Sequence, residues 1–339
     1  MAQFLLRRLL GMFAVLFVVS LITFLLMHAI PGGPFSREKP LPEATIALLN
    51  EKYNLDAPIH IQYLDYVGDI IIPRVTYGRI PPSASEDYLI NISLPAFMGD
   101  EAVLRWVNFG PTYGSRSRSV NDIFRESLPV SFQLGVAAMA VAMAVGIPLG
   151  TMAALKRNTI FDYAGMGVAV FGVSLPVIIT APVLQYLFGV QWKALPPTGW
   201  GEIRHMILPA FALGFVNSAL IARLTRASLL QVMNEDYIRT ARAKGLSERM
   251  VVIGHAVKNG IIPVVTILGP LFAVLVTGSF VVETFFGIPG MGRYFVTSIR
   301  GRDYPVIMGT ILLFAAFISI ANTIVDIVYA WLDPRIRYD

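Results

Sequence analysis

The stretch NEDYIRTARAKGLSERMVVIGHAVKNGIIP, residues 234–263, is a basic and helix-prone passage set between two strongly apolar runs. Its charges are ordered: Glu235 and Asp236 come first, and Arg239, Arg242 and Lys244 crowd the residues before Gly245. Acid at the start and base at the end is what the helix dipole favours. The pattern therefore predicts a helix opening at a cap on Asn234. Glycine adopts the left-handed conformation that closes a helix at least cost, which makes Gly245 the expected stop. Ser247 is then placed to cap a second helix, with Met250, Ile253 and Val257 as its apolar side. The unit reads as helix, tight turn, helix. Taken alone, it also reads as a solvated loop between membrane spans.

The rest of the chain decides between those readings. Of 339 residues, 55% are hydrophobic and 14% charged, against about 25% charged in soluble domains, and the mean hydropathy is +0.63. This is the composition of an integral membrane protein. Cysteine is absent, which removes disulfides and thiolate metal sites. The net charge of +5 is small for the length, and no basic block with interleaved aromatics suggests nucleic acid as a partner.

Six apolar runs are bounded by charges: residues 9–30, 127–155, 163–192, 206–222, 259–282 and 304–325. A run of about 20 residues crosses the hydrocarbon of a bilayer, so an all-α polytopic protein with six transmembrane helices is expected. The first run follows Arg7 and Arg8 as a signal peptide would, but its 22 positions exceed the usual apolar core of about 7–15. The 17-residue run ends at Arg223 and Arg226, which are expected to snorkel to the interface. Pro148, Pro176 and Pro182 lie inside spans, as packing irregularities or as breaks in a helix lining a pathway. Residues 31–126 carry nine basic against twelve acidic side chains and many prolines, which suits a folded, mixed extramembrane region. Helices are expected over 44–53 and 59–70, and strands or irregular packing over 88–97 and 103–109.

Basic residues in short loops set orientation. Lys156 and Arg157 follow the second span, and seven basic residues separate the fourth from the fifth: Arg223, Arg226, Arg239, Arg242, Lys244, Arg249 and Lys258. Those loops and both termini are expected in the cytoplasm, residues 31–126 outside, and Arg293, Arg300 and Arg302 as a mild violation. The expected divisions are 1–30 (stub and first span), 31–126 (extracytoplasmic), 127–332 (membrane core, with the basic loop at 223–260) and 333–339 (cytoplasmic tail).

An engine is missing. No phosphate-cradling G-x-x-x-x-G-K-[ST] loop is present. An ion gradient would call for ionisable groups near the middle of the bilayer, and only Glu283 and Asp326 come close. Glu283 is placed towards the outer end of the fifth span and Asp326 near the cytoplasmic end of the sixth, with Asn322 one turn before it. Local hydrogen bonding between helices suits both better than transport chemistry, although an ion-coupled secondary transporter is the alternative. His28, His60, His205 and His255 are scattered, so no catalytic or metal residue is assigned, and His28 reads as interfacial. A membrane bundle without an engine, bearing a basic helical insertion on its inner side, suggests that an ATPase docks there.

The residues carry a family resemblance as well. DYIRTARAKGLSERMVVIGHAVKNGIIPVVT, residues 236–266, resembles the cytoplasmic coupling loop of ABC importer permeases of the peptide, oligopeptide and nickel branch. Ala241, Ala243 and Gly245 match its alanine-rich run and glycine, while His255, Ala256, Val257 and Lys258 stand where other branches have isoleucine-x-leucine-proline. QFLLRRLL (3–10), GIPLGTMAALKR (146–157), FFGIPGMGRY (285–294), RDYPVIMGT (302–310) and DPRIRY (333–338) are similar to the first permease subunit of such importers. The resemblance implies a type I ABC importer permease fold in the inner membrane. It also implies a second homologous permease, two ATP-binding subunits and an extracytoplasmic substrate-binding protein as partners, in addition to the lipid bilayer. ATP and magnesium are then bound by the partner subunits, and this chain holds no cofactor. ATPase coupling would fall to Asp236, Tyr237, Ile238, Arg239, Thr240, Ala241, Arg242, Ala243, Lys244, Gly245 and Leu246. No substrate-contacting residue is implied, since members move peptides, nickel chelates or oligosaccharides. The departure is an insertion over residues 70–107, ahead of FGPTYGSRSRSVNDIF, readable as a binding-protein contact or as a decorative loop.

Overall fold

The computed structural model describes residues 2–35, 42–77, 87–94, 102–115 and 117–332. Among them, α1 (Ala2–Ala29), α4 (Val120–Leu155), α7 (Ile203–Val232) and α14 (Tyr304–Leu332) are long and apolar enough to cross a membrane. Two bent pairs complete the set: α5 (Ile160–Ser174) with Val177–Gln191, at 100°, and Glu248–Gly260 with α11 (Ile262–Val276), at 50°. Counting each pair as one crossing gives the expected six. Residues 333–339, with their expected cytoplasmic placement, lie outside the described residues, as do residues 78–86 and 95–101.

Span ends differ from the apolar runs because charge bounds hydropathy, not helicity. Helix α4 opens at Val120 rather than at 127: Ser119 Oγ accepts from Asp122 N at 2.9 Å and Ser119 N donates to Asp122 Oδ2 at 3.0 Å. This reciprocal cap lets Arg125 and Glu126 ride inside the helix. Helix α7 likewise continues through Arg223 and Arg226 to Val232. In the first bent pair the break falls at Pro176, which cannot donate a backbone hydrogen bond and holds Leu175 extended. From there α6 (Val177–Leu184) runs on as a π-helical segment, Gln185–Gln191. Pro148 and Pro182 are absorbed within α4 and α6. The run 259–282 is not continuous either. Helix α11 stops at Val276, the chain turns at Gly278, and α12 (Phe280–Phe286) starts afresh with Ser279 as its cap.

The described residues form two compact units. The first collects those of Met1–Leu9, Val130–Gly292 and Phe317–Asp339. Its core joins Leu134 and Ala138 of α4, Leu208 and Leu213 of α7, Leu275 of α11 and Phe286 of α12. Helices α4 and α7 touch backbone to backbone: a Cβ on Gly146 would stand 2.6 Å from the carbonyl of Ser218. Membrane helices lack a hydrophobic drive to associate, so they use such small residues to approach closely.

The second unit comprises the described parts of Leu10–Pro129 and Arg293–Ala316. Helices α2 (Glu43–Lys52) and α3 (Ile59–Ile71) fall where helical spacing places them. Strands β1 (Arg74–Tyr77), β2 (Ile90–Ser93) and β3 (Ala102–Trp106) make an antiparallel sheet in the order β1-β3-β2, with Arg74 opposite Arg105 and Ile92 opposite Leu104. The segment 70–107 thus holds a sheet, of which the β-branched pattern pointed to β2 and β3 but not β1. Helix α13 (Gly292–Gly301) leads into α14, whose preceding residue Asp303 accepts from the Thr112 hydroxyl and, at 2.9 Å, from Gly114 N.

Candidate coupling site

After α7 the chain turns through Met233, Asn234 and Glu235 into α8 (Asp236–Ala243). Asn234 does not cap that helix. The turn folds back on α7, with Glu235 N bonding Val232 O at 3.0 Å. This leaves Glu235 at the cap without a side-chain bond, while the Asn234 amide donates to Leu230 O at 2.9 Å. Ile238 and Ala241, three residues apart, are buried against Leu229, Ala154, Val251 and Ala256. The other nine residues expected to couple are exposed: Asp236, Tyr237, Arg239, Thr240, Arg242, Ala243, Lys244, Gly245 and Leu246. Of these eleven consecutive residues, nine thereby form an outward surface on a two-residue anchor.

The stop at Gly245 is as expected, with φ +79. Leu246 N reaches back to Ala241 O and Gly245 N to Arg242 O, the paired bonds that satisfy carbonyls at a helix end closed by a left-handed residue. Arg242 spans the turn, donating from Nε to Glu248 Oε2 at 3.1 Å and from Nη2 to Oε1 at 2.8 Å. Those bonds raise the Arg242 guanidinium above its ordinary range. At an exposed site such a pair contributes little to stability; its value is geometric, since it holds the two sides of the turn together. Arg239 lies 3.5 Å from Asp236 on the same face.

Beyond the turn, Ser247 Oγ accepts from Met250 N, as its sequence position suggests. The apolar side is a correction. Met250 and Ile253 are exposed, whereas Val251, Val252 and Ala256 are buried. After the short α9 (Glu248–Met250), residues Val251–Val257 are π-helical, before α10 (Lys258–Gly260). A wider turn rotates the buried stripe away from the 3.6-residue period.

A charge pair that the sequence reading missed stands at the start of α5. Asp162, almost fully buried, accepts from Arg226 Nε at 2.7 Å and Nη2 at 2.8 Å, and from Asn158 N at 3.0 Å. Arg226 is therefore a clamp between α5 and α7, not a snorkelling residue. The available signal was a lone acid immediately ahead of the apolar run 163–192. Glu283 is also displaced from its expected place at the end of a span: it sits on α12, 1% exposed, accepting from Ser131 Oγ at 2.8 Å. Asp326 is ion-paired with Arg8. His28 makes intramolecular contacts to Phe24 O at 2.9 Å and to Gln62 at 3.3 Å.

Residues 146–338 match the family of the binding-protein-dependent transport system inner membrane component, and residues 1–84 match its N-terminal membrane component. The chain is 42% identical over 337 residues to the dipeptide transport system permease protein DppB of Bacillus subtilis (strain 168), covering 99% of this chain and 98% of that protein. It is 38% identical over 340 residues to the oligopeptide transport system permease protein OppB of Escherichia coli (strain K12), with 100% of both covered. A solved structure of the MetNI methionine ABC transporter in inward-facing conformations superposes with a TM-score of 0.52 at 15% identity, over 62% of this chain and 96% of that one, a likeness of fold alone. With its membrane-spanning helices and family matches at both ends, the chain belongs to the inner membrane components of binding-protein-dependent transport systems, the permease subunits of ABC importers.

Proposed function

We propose that the chain forms half of the translocation pathway of an ATP-driven importer for peptides, or a related small solute, delivered by an external binding protein. The observation that carries this reading is the surface of α8 and its closing turn: nine exposed residues, six on the helix and three after it, on an anchor of Ile238 and Ala241 seated against the ends of α4 and α7. A partner gripping that surface moves it as a body and drags both spans. The partners are a second homologous permease, two subunits that bind ATP and magnesium, and the binding protein. Peptides are favoured because the relatives are named for dipeptide and oligopeptide transport. The basic residues around α8 orient it to the cytoplasm with both termini, and residues 31–126 outside. The sheet of residues 74–106 then stands on the side from which a binding protein docks.

The test is reconstitution into liposomes with the partner subunits and binding protein. Uptake of a labelled dipeptide is expected only with ATP and all partners. Uptake driven by a proton or sodium gradient without ATPase subunits would overturn the reading.

A further inference from the structure

Helix α3 belongs to the segment that composition places outside the membrane, yet its contacts put it at hydrocarbon depth. The Tyr63 hydroxyl shares a 2.8 Å hydrogen bond with Ser20 Oγ of α1, and its ring centre lies 5.2 Å from that of Phe24. Ser20 is nine residues inward of Ala29, about 13 Å at the helical rise, within a hydrocarbon layer about 30 Å thick. The same buried cluster takes in Tyr304, Ile307 and Met308 from the first turns of α14.

Three faces share the surface of α3. Tyr63, Tyr66 and Val67 turn to α1 and α14. Gln62, Asp65 and Asp69 form a polar edge. Ile61, Leu64 and Ile71, at spacings of three and seven, form a stripe that is 39%, 64% and 55% exposed. Water is a poor home for that stripe, because removing apolar side-chain surface from water is favourable. On α1 itself Ile22, Leu25 and Leu26 are likewise exposed, at 51%, 51% and 62%. At the far end of the stripe Trp106, half exposed, donates from Nε1 to Ile71 O at 3.0 Å. Tryptophan favours the membrane interface. Attraction to anionic headgroups is not the drive, because residues 31–126 are acidic on balance.

We infer that α3 is a membrane-embedded interfacial helix whose Ile61–Leu64–Ile71 stripe docks on the acyl chains of the leaflet at the Ala29 end of α1. Lipid is the occupant because the stripe belongs to a helix whose Tyr63 is seated on Ser20 and Phe24, within the membrane span of α1. The inference stands whether or not the proposed transport function does.

The chain has no cysteine, so single-cysteine variants report without background. Maleimides attack the thiolate, which forms in water and not in hydrocarbon. In membranes of cells making the full chain with its partners, Leu64→Cys and Ile71→Cys are expected to react with a charged maleimide roughly tenfold or more slowly than Glu51→Cys on exposed α2. Equal rates overturn the proposal. Slow labelling also follows if a protein covers the stripe, so a second arm uses the unaltered chain. A phospholipid carrying a mid-chain diazirine is irradiated in the same membranes, with adducts expected on peptides containing residues 59–72. Slow labelling without a lipid adduct assigns the stripe to a protein partner and overturns lipid docking.

Discussion

Gly245 holds φ +79, and no atom lies within 4 Å of where its Cβ would stand. Substitution there is a test of backbone conformation with no steric confusion. Gly245→Val is expected to insert and fold as the unaltered chain does. It meets a left-handed penalty of about 1–2 kcal/mol, which it relieves by changing the angle between α8 and the segment after it. The quantity to measure is ATP hydrolysed per peptide transported: a several-fold rise for Gly245→Val but near-normal coupling for Gly245→Asn, since asparagine tolerates the left-handed region. Normal coupling in the valine variant sinks the mechanical role of the turn. Asp162 makes a different residue-scale prediction. Removing its carboxylate in Asp162→Ala strands Arg226, and breaking such a buried pair costs roughly 3 kcal/mol. Part of this is recovered through water, because the Arg226 side chain is 28% exposed. Thermal unfolding of the purified chain is expected to shift down by several degrees, and Arg226→Lys, which keeps charge but loses the second hydrogen bond, by less.

At the scale of elements, the sheet offers a clean excision. Arg74 and Arg105 are paired across β1 and β3, so residues 75–104 can be replaced by two glycines without stretching the chain. The deletion also removes Asp87, which pairs with Arg125 and bonds Ser119, so Asp87→Ala serves as control. Binding-protein stimulation of ATP hydrolysis is expected to fall severalfold in the deletion and to persist in the control. Unchanged stimulation in the deletion would make the sheet a decoration. Elements with a regular period were legible from residues alone: α2 and α3 lie within two residues of their expected ends. The π-helical turn Val251–Val257 was not legible, because nothing in V-V-I-G-H-A-V distinguishes a wide turn from an ordinary one until α7 and α8 are packed against it. The break at Pro176 was signalled by the residue, whereas Pro148 and Pro182 carry the same signal without a break.

For the whole molecule, orientation is the quantity to measure. Lys244→Cys is expected to be labelled by a membrane-impermeant maleimide only in inverted vesicles, and Glu51→Cys only in intact cells; both on one side would refute the proposed topology. Composition and run length alone determined that the chain is a polytopic helical membrane protein. The ordered charges around Gly245 marked a helix, a turn and a second helix, since dipole, cap and left-handed stop are local effects that residue type announces. Tertiary structure decided the rest. It alone showed that Ile238 and Ala241 are the anchors of α8, that Arg226 meets Asp162 across 64 residues, and that Glu283 sits on α12 in the core. It also brought Tyr63 to Ser20 within the span of α1. The reason is that burial and pairing are properties of what comes to lie opposite a side chain, and in a chain this apolar the sequence offers many equivalent partners for each face.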